Sequence, residues 1–227
     1  DAGAWRLTVD GVPFRIRGAG LSGGDIEALA QRGGNAFRTW STGLDRARVT
    51  GMLDRAHRNG LRVAMGLEIG KERHGFDYDD PAAVAAQLAR IREEVAAYRA
   101  HPAVLMWLIG NELNLEARNP KVWDAVNTIA EAIHAIDPHH PVMTPLAGFD
   151  ATLIGELNRF RASAGKPDVD VSFVPFEKEV LRRDGAAAFV AAVGPELAAY
   201  EDAGVTWITI EPTSRSFTDF QTDLSVL

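Results

Sequence analysis

The chain has 227 residues, 46% hydrophobic and 24% charged, with 31 acidic against 24 basic side chains and a formal net charge of −7. This is a globular balance, long enough for one well-buried α/β domain, and the acidic excess without any Lys/Arg-rich run argues against a nucleic-acid partner. Cysteine is absent, which excludes disulfides, thiolate zinc sites and cysteine nucleophiles but leaves the compartment open.

No apolar stretch approaches the ~20 residues of a transmembrane helix, so no membrane span is expected. The chain starts without a signal peptide, as a mature secreted product also would.

Short apolar runs alternate with longer segments of helical period. Trp5–Val9 turns at Asp10–Gly11 and reads as a hairpin partner of the first strand, Phe14–Gly20. Further strands are expected at Asn35–Trp40, Leu61–Glu68, Ala103–Glu112, Pro141–Gly148, Val169–Phe176 and Val205–Pro212. Most are continuous apolar runs, as in parallel strands buried on both faces.

Between them, Val49, Met52, Leu53 and Ala56 recur at helical spacing. So do Val84, Leu88, Ile91, Val95 and Tyr98, and then Val122, Val126, Ile129, Ile133 and Ile136. Asp80–Pro81 and Asn119–Pro120 offer a capping side chain followed by proline. Asn59–Gly60, His101–Pro102, Asp137–Pro138 and Ala203–Gly204 stop helices ahead of strands. The Arg/Glu-rich stretch Arg90–Glu94 reads as a solvated helix face. The alanine-rich stretches 82–86 and 186–192 read as good helix formers.

Repeated strand–helix units imply a parallel α/β sheet, and no Gly-x-Gly-x-x-Gly or P-loop supports an open nucleotide-binding fold. A single β/α (TIM-type) barrel domain is therefore expected over residues 1–227. Seven units are visible where a closed barrel needs eight. One strand is disguised, the chain is incomplete, or the barrel closes unusually. An open edge would favour self-association.

Barrel enzymes place reacting groups at the C-terminal ends of strands. Those ends carry Arg38 and Trp40, Glu68, Asn111 and Glu112, and Glu211. Glycoside hydrolysis needs two carboxylates, one to protonate the leaving oxygen and one to attack or activate water. An arginine beside them would hold one carboxylate ionised, and Trp40 or Trp107 would stack on a sugar ring.

The run HPAVLMWLIGNE (101–112) is similar to the fourth strand of clan A glycoside hydrolases. With WRLTVDGVPFRIRGAG, GGNAFRTW, the loop ERHGFDY and DPHHPVM, residues 5–148 resemble the family 2 catalytic barrels. The resemblance implies Glu112 as general acid/base, Asn111 on the sugar 2-hydroxyl and Arg38 beside the nucleophile. It also implies retention of configuration, without metal or cofactor, on a carbohydrate substrate. The nucleophile should then end strand seven, which by count in this sequence is Glu211.

The run TIEPTS and the sixth-strand end Val174-Pro175-Phe176 depart from that family's pattern. Residues 153–227 resemble instead the C-terminal units of luciferase-like flavin monooxygenases. A hybrid barrel portion over 151–227, joined to a hydrolase-like portion over 1–150, would carry little or no hydrolase activity. A third reading is flavin or phosphate binding near Thr213–Ser216. Glu68 lines the pocket or pairs with Arg38, and His74 contacts substrate or orders its loop. His139 and His140 lie on the opposite, helix-to-strand side, without a third ligand for a metal. Trp5, Trp123 and Trp207 read as packing residues.

Overall fold

The computed structural model describes residues 7–147 except 22–23 and 43–44, two short strands at 171–173 and 205–208, and a few single positions between 155 and 191. The chain divides into two compact units, Asp1–Ala147 and Gly148–Leu227.

In the first unit, β1 (Thr8–Val9) pairs antiparallel with β2 (Val12–Pro13). Asp10 and Gly11 both take positive φ, 53° and 79°, the backbone of the two-residue turn whose twist matches a hairpin. The expected first strand shrinks to β3 (Gly18–Gly20). The side chain of Asn35 has taken the backbone ahead of it, accepting from Arg17 N at 2.7 Å and donating to Arg15 O at 2.8 Å. The hairpin therefore closes on β2 and not on the first barrel strand.

Then follow α1 (Ile26–Gln31), β4 (Ala36–Arg38), α2 (Arg46–Arg58), β5 (Arg62–Leu67), α3 (Pro81–Tyr98), β6 (Val104–Ile109), α4 (Lys121–Ile136) and β7 (Val142–Met143). The five strands β3 to β7 form one sheet in chain order, every pair parallel. This is the α/β barrel grammar. In the second unit, β8 (Val171–Phe173) pairs parallel with β9 (Val205–Ile208).

The expected stripes are the buried faces. Val49, Leu53 and Ala56 of α2, Ile91, Val95 and Tyr98 of α3, and Val122, Ile129 and Ile133 of α4 enclose Val63, Met65 and Leu67 of β5 and Trp107 and Ile109 of β6. Asp80 caps α3 by accepting from Ala82 N at 2.8 Å and Ala83 N at 3.2 Å, with Pro81 opening the helix. Asn119 caps one residue earlier than a regular N-cap, its side chain accepting from Lys121 N at 3.1 Å. The six-residue α1, too short to show a stripe, is capped by Asp25.

The Arg90–Glu94 stretch is not wholly a solvated face: the Glu94 side chain is only 10% exposed. Among the described residues no helix is long and apolar enough to cross a membrane, and no His/Cys/Asp/Glu group is placed to hold a metal ion.

Candidate active site

The C-terminal ends of β4, β5, β6 and β7 share one rim, because parallel strands all finish on the same side. At this rim β6 stops at Ile109, and the chain turns through Gly110 (φ 66°), Asn111 and Glu112 (φ 54°). Glu112 is a non-glycine residue in the left-handed region, a conformation that persists only where surrounding contacts hold it. Those contacts are present. Its N–H donates to Pro145 O at 2.9 Å, just past β7. Its carbonyl accepts from Arg73 Nη1 at 2.6 Å. The turn beyond is tied to the β7 end through Asn114, which donates to Ala147 O at 2.7 Å and accepts from Ala147 N at 2.8 Å. Thr144 Oγ1 adds a bond to Ile109 O at 2.8 Å.

The Glu112 side chain is 46% exposed, with its Oε2 3.8 Å from Arg73 Nη2. Asn111 Oδ1 accepts from Arg38 Nη2 at 2.6 Å, spanning from the end of β4 past β5. Burial pulls the Arg38 guanidinium below its ordinary value, and the neighbouring Glu112 charge opposes that shift. The Arg38 guanidinium also lies over the Trp40 indole, 5.2 Å from the ring centroid, a cation–π geometry. Trp40 is 44% exposed and rests on Gly20, where a Cβ would come within 2.5 Å of the ring. An exposed indole next to a guanidinium that also binds an amide is a surface on which a sugar ring can stack and hydrogen-bond.

Four of the residues read from the sequence thus stand together: Arg38, Trp40, Asn111 and Glu112. Glu68 follows β5 and is exposed. Its carbonyl accepts from Arg90, whereas Arg38 turns to Asn111 and not to Glu68. His74 closes the short 3-10 turn Glu72–His74 and is exposed.

Trp107 is not available for stacking. It is fully buried, and its Nε1 donates to Asp137 Oδ2 at 2.8 Å. Asp137 lies in the helix-to-strand turn, where it also meets His140 Nδ1 at 2.7 Å. Burial pushes the Asp137 carboxyl up, but the bonds from Trp107 and His140 outweigh it and leave the group below the usual carboxylate range. Glu211 and Thr213–Ser216 lie outside the described residues.

One residue escaped the sequence reading. Arg73 sits inside the quoted loop ERHGFDY, yet nothing in its spacing shows that its side chain returns to Glu112. The loop is braced by two hydrogen bonds at its start. Tyr78 OH donates to Gly70 O at 2.6 Å, and Gly70 N donates to Gln87 Oε1 at 2.6 Å. Burial pushes the Tyr78 phenol up to about 12, so it stays a donor at any working pH.

The family model described as "Glycosyl hydrolases family 2, TIM barrel domain" matches residues 23–153, more than half of the chain. The chain belongs to this family.

Solved structures similar to this family 2 barrel agree in fold. One is Bifidobacterium dentium β-glucuronidase complexed with coumarin-3-O-glucuronide, at TM-score 0.58 and 19% identity, covering 87% of this chain and 32% of that one. Two are glycosyl hydrolase family 2 members from Bacteroides cellulosilyticus. The first has TM-score 0.55 and 18% identity, covering 92% of this chain and 29% of the other. The second, from strain DSM 14838, has TM-score 0.50 and 21% identity, covering 82% and 24%. The chain thus spans about a third or less of the length of these relatives. No curated protein matches it. The luciferase-like resemblance of residues 153–227 finds no support in these comparisons.

Proposed function

We propose that this family 2 barrel carries out retaining hydrolysis of β-glycosides, with residues 1–150 and 151–227 as portions of one barrel domain. The observation that supports it is the held, half-exposed Glu112 carboxylate beside an Asn111 fixed by Arg38.

In this reading Glu211, the strand-seven carboxylate by sequence count, attacks the anomeric carbon as the glycosidic C–O bond breaks. The leaving oxygen takes the Glu112 proton and departs as an alcohol. Water then attacks the glycosyl ester while Glu112 takes its proton, releasing the sugar and the Glu211 carboxylate. Asn111 hydrogen-bonds the sugar 2-hydroxyl, Trp40 stacks on the ring, and Glu68 and His74 line the approach. The substrate is a carbohydrate, and the steps need no metal or cofactor.

The test is turnover of aryl β-glycosides by wild type, Glu112→Gln and Glu211→Gln. Loss of about 10²–10⁴-fold in Glu112→Gln is expected for a missing general acid/base. Equal turnover by wild type and Glu112→Gln, or none by any form, overturns the reading. The second outcome would instead match a hybrid barrel without hydrolase chemistry.

A further inference from the structure

We infer that Arg73 is a positioning residue for Glu112, holding both the main chain and the carboxylate of that residue from the neighbouring loop. The inference rests on the acid/base role proposed above.

The loop after β5 is anchored on the loop after β6 from both sides of Arg73. Upstream, the Glu72 carboxylate accepts from Arg118 N at 2.7 Å and Asn119 N at 3.0 Å. Downstream, Asp79 accepts from Asn119 Nδ2 at 3.0 Å and pairs with Lys121 Nζ at 2.6 Å. Arg73 is presented between these anchors, its side chain only 12% exposed. One nitrogen, Nη1, serves two carbonyls, Glu112 O at 2.6 Å and Leu115 O at 3.2 Å. The other, Nη2, faces Glu112 Oε2 at 3.8 Å.

The carbonyl contacts meet the turn that keeps Glu112 at φ 54°, and the second arm meets the group that handles the proton. A guanidinium suits both tasks, since it is planar, forked and charged at every working pH. A lysine ammonium is a compact point charge and would satisfy the carbonyls or the carboxylate, without fixing one relative to the other.

Proton transfer to a leaving group depends on a donor placed within hydrogen-bond reach. Loosening Glu112 therefore penalises substrates whose leaving group must be protonated, and spares those whose leaving group departs as a stable anion. A residue that only supports the fold would depress both alike.

The experiment compares wild type, Glu112→Gln, Arg73→Met and Arg73→Lys in the full chain on phenyl and dinitrophenyl β-glycosides of the sugar turned over best. For Arg73→Met, kcat/KM is expected to fall at least about 10²-fold on the phenyl substrate and less than about tenfold on the dinitrophenyl one. Arg73→Lys should recover part of the loss. An equal fall on both substrates, or no fall, overturns the proposal. Should Glu112→Gln itself show no such split, the acid/base reading fails independently. The positioning then stands or falls on hydrogen exchange of residues 110–116. That exchange should quicken at least about tenfold in Arg73→Met and less in Arg73→Lys; unchanged exchange overturns it.

Discussion

Arg38 and Asn111, 73 positions apart in sequence, meet through a 2.6 Å hydrogen bond across the strand ends. The contact joins β4 to the turn after β6 and fixes which way the Asn111 amide faces. Because the donor is charged and partly buried, the bond is of the stronger kind, worth about 1.5–3 kcal/mol. A double-mutant cycle of Arg38→Ala and Asn111→Ala, measured by urea unfolding, should return a coupling in that range. Coupling below about 0.5 kcal/mol would mean that the bond contributes little in solution. Both single variants should also lower kcat/KM on aryl β-glycosides.

Trp107 illustrates how a residue on the strand that leads to a candidate site can belong to the scaffold. Trp107→Phe keeps the buried ring but removes the donor to Asp137, and should cost about 1–3 kcal/mol of stability. Carbohydrate binding should not change, because the indole is fully buried. The pH dependence follows from the depressed Asp137 carboxyl. Its contribution is fully present above the unfolded carboxylate value of about 4 and is lost as pH falls through the lower folded value. The Trp107 bond contributes to that depression, so the acid-side loss should be smaller in Trp107→Phe. Thermal midpoints between pH 2 and pH 6 measure it. A variant with weaker sugar binding and unchanged stability would restore the stacking role.

The helices and the candidate site were legible in the sequence to different depths. Helices α2, α3 and α4 each carry a periodic stripe, and the stripe is the face that packs. Glu112 was legible because a long apolar run ends in Gly-Asn-Glu, where a strand must turn. Trp107 misled because a strand buried on both faces shows no alternation to tell which way a side chain points. Arg73 was invisible for another reason: its hydrogen bonds go to backbone carbonyls 39 and 42 positions away, and carbonyls leave no signature in a sequence. Asn35 shortened the first strand by the same route, through side-chain bonds to the main chain of residues 15 and 17.

Gly66 shows how closely the rim is packed. A Cβ there would lie 2.5 Å from Thr39 O and 2.5 Å from Trp40 C, both backbone atoms that cannot swing aside. The Gly66 N–H also donates to Thr39 Oγ1 at 2.9 Å. Gly66→Ala should therefore push apart the ends of β4 and β5, costing about 1–3 kcal/mol and lowering activity through Arg38 and Trp40. Gly51 is the control. It is an exposed position within α2 with nothing near its missing Cβ, and Gly51→Ala should gain roughly 0.5–1 kcal/mol from helix propensity. Chemical unfolding of both variants checks the opposite signs. A Gly66→Ala protein as stable as wild type would show that the strand ends yield readily.

Glu94 sets a second pH dependence, on the neutral side. Burial raises its carboxyl to about 7, Arg90 draws it down, and the charge of Glu68 pushes it up. Arg90 Nη1 lies 3.4 Å from Glu94 Oε2, while Glu94 Oε1 is buried with no hydrogen-bond partner among the described residues. For an acid raised by folding, the native state holds the proton more tightly than the unfolded chain. The contribution of this group to stability is then highest below the unfolded value of 4.5, falls as pH rises towards about 7, and levels off above it. The fall approaches about 1.4 kcal/mol per pH unit at its steepest. Glu94→Gln removes the titration, so its unfolding midpoint should vary less than that of wild type between pH 5 and pH 7. Parallel profiles for the two proteins would show that Glu94 ionises in the fold without penalty, and would require water or a further donor at Oε1.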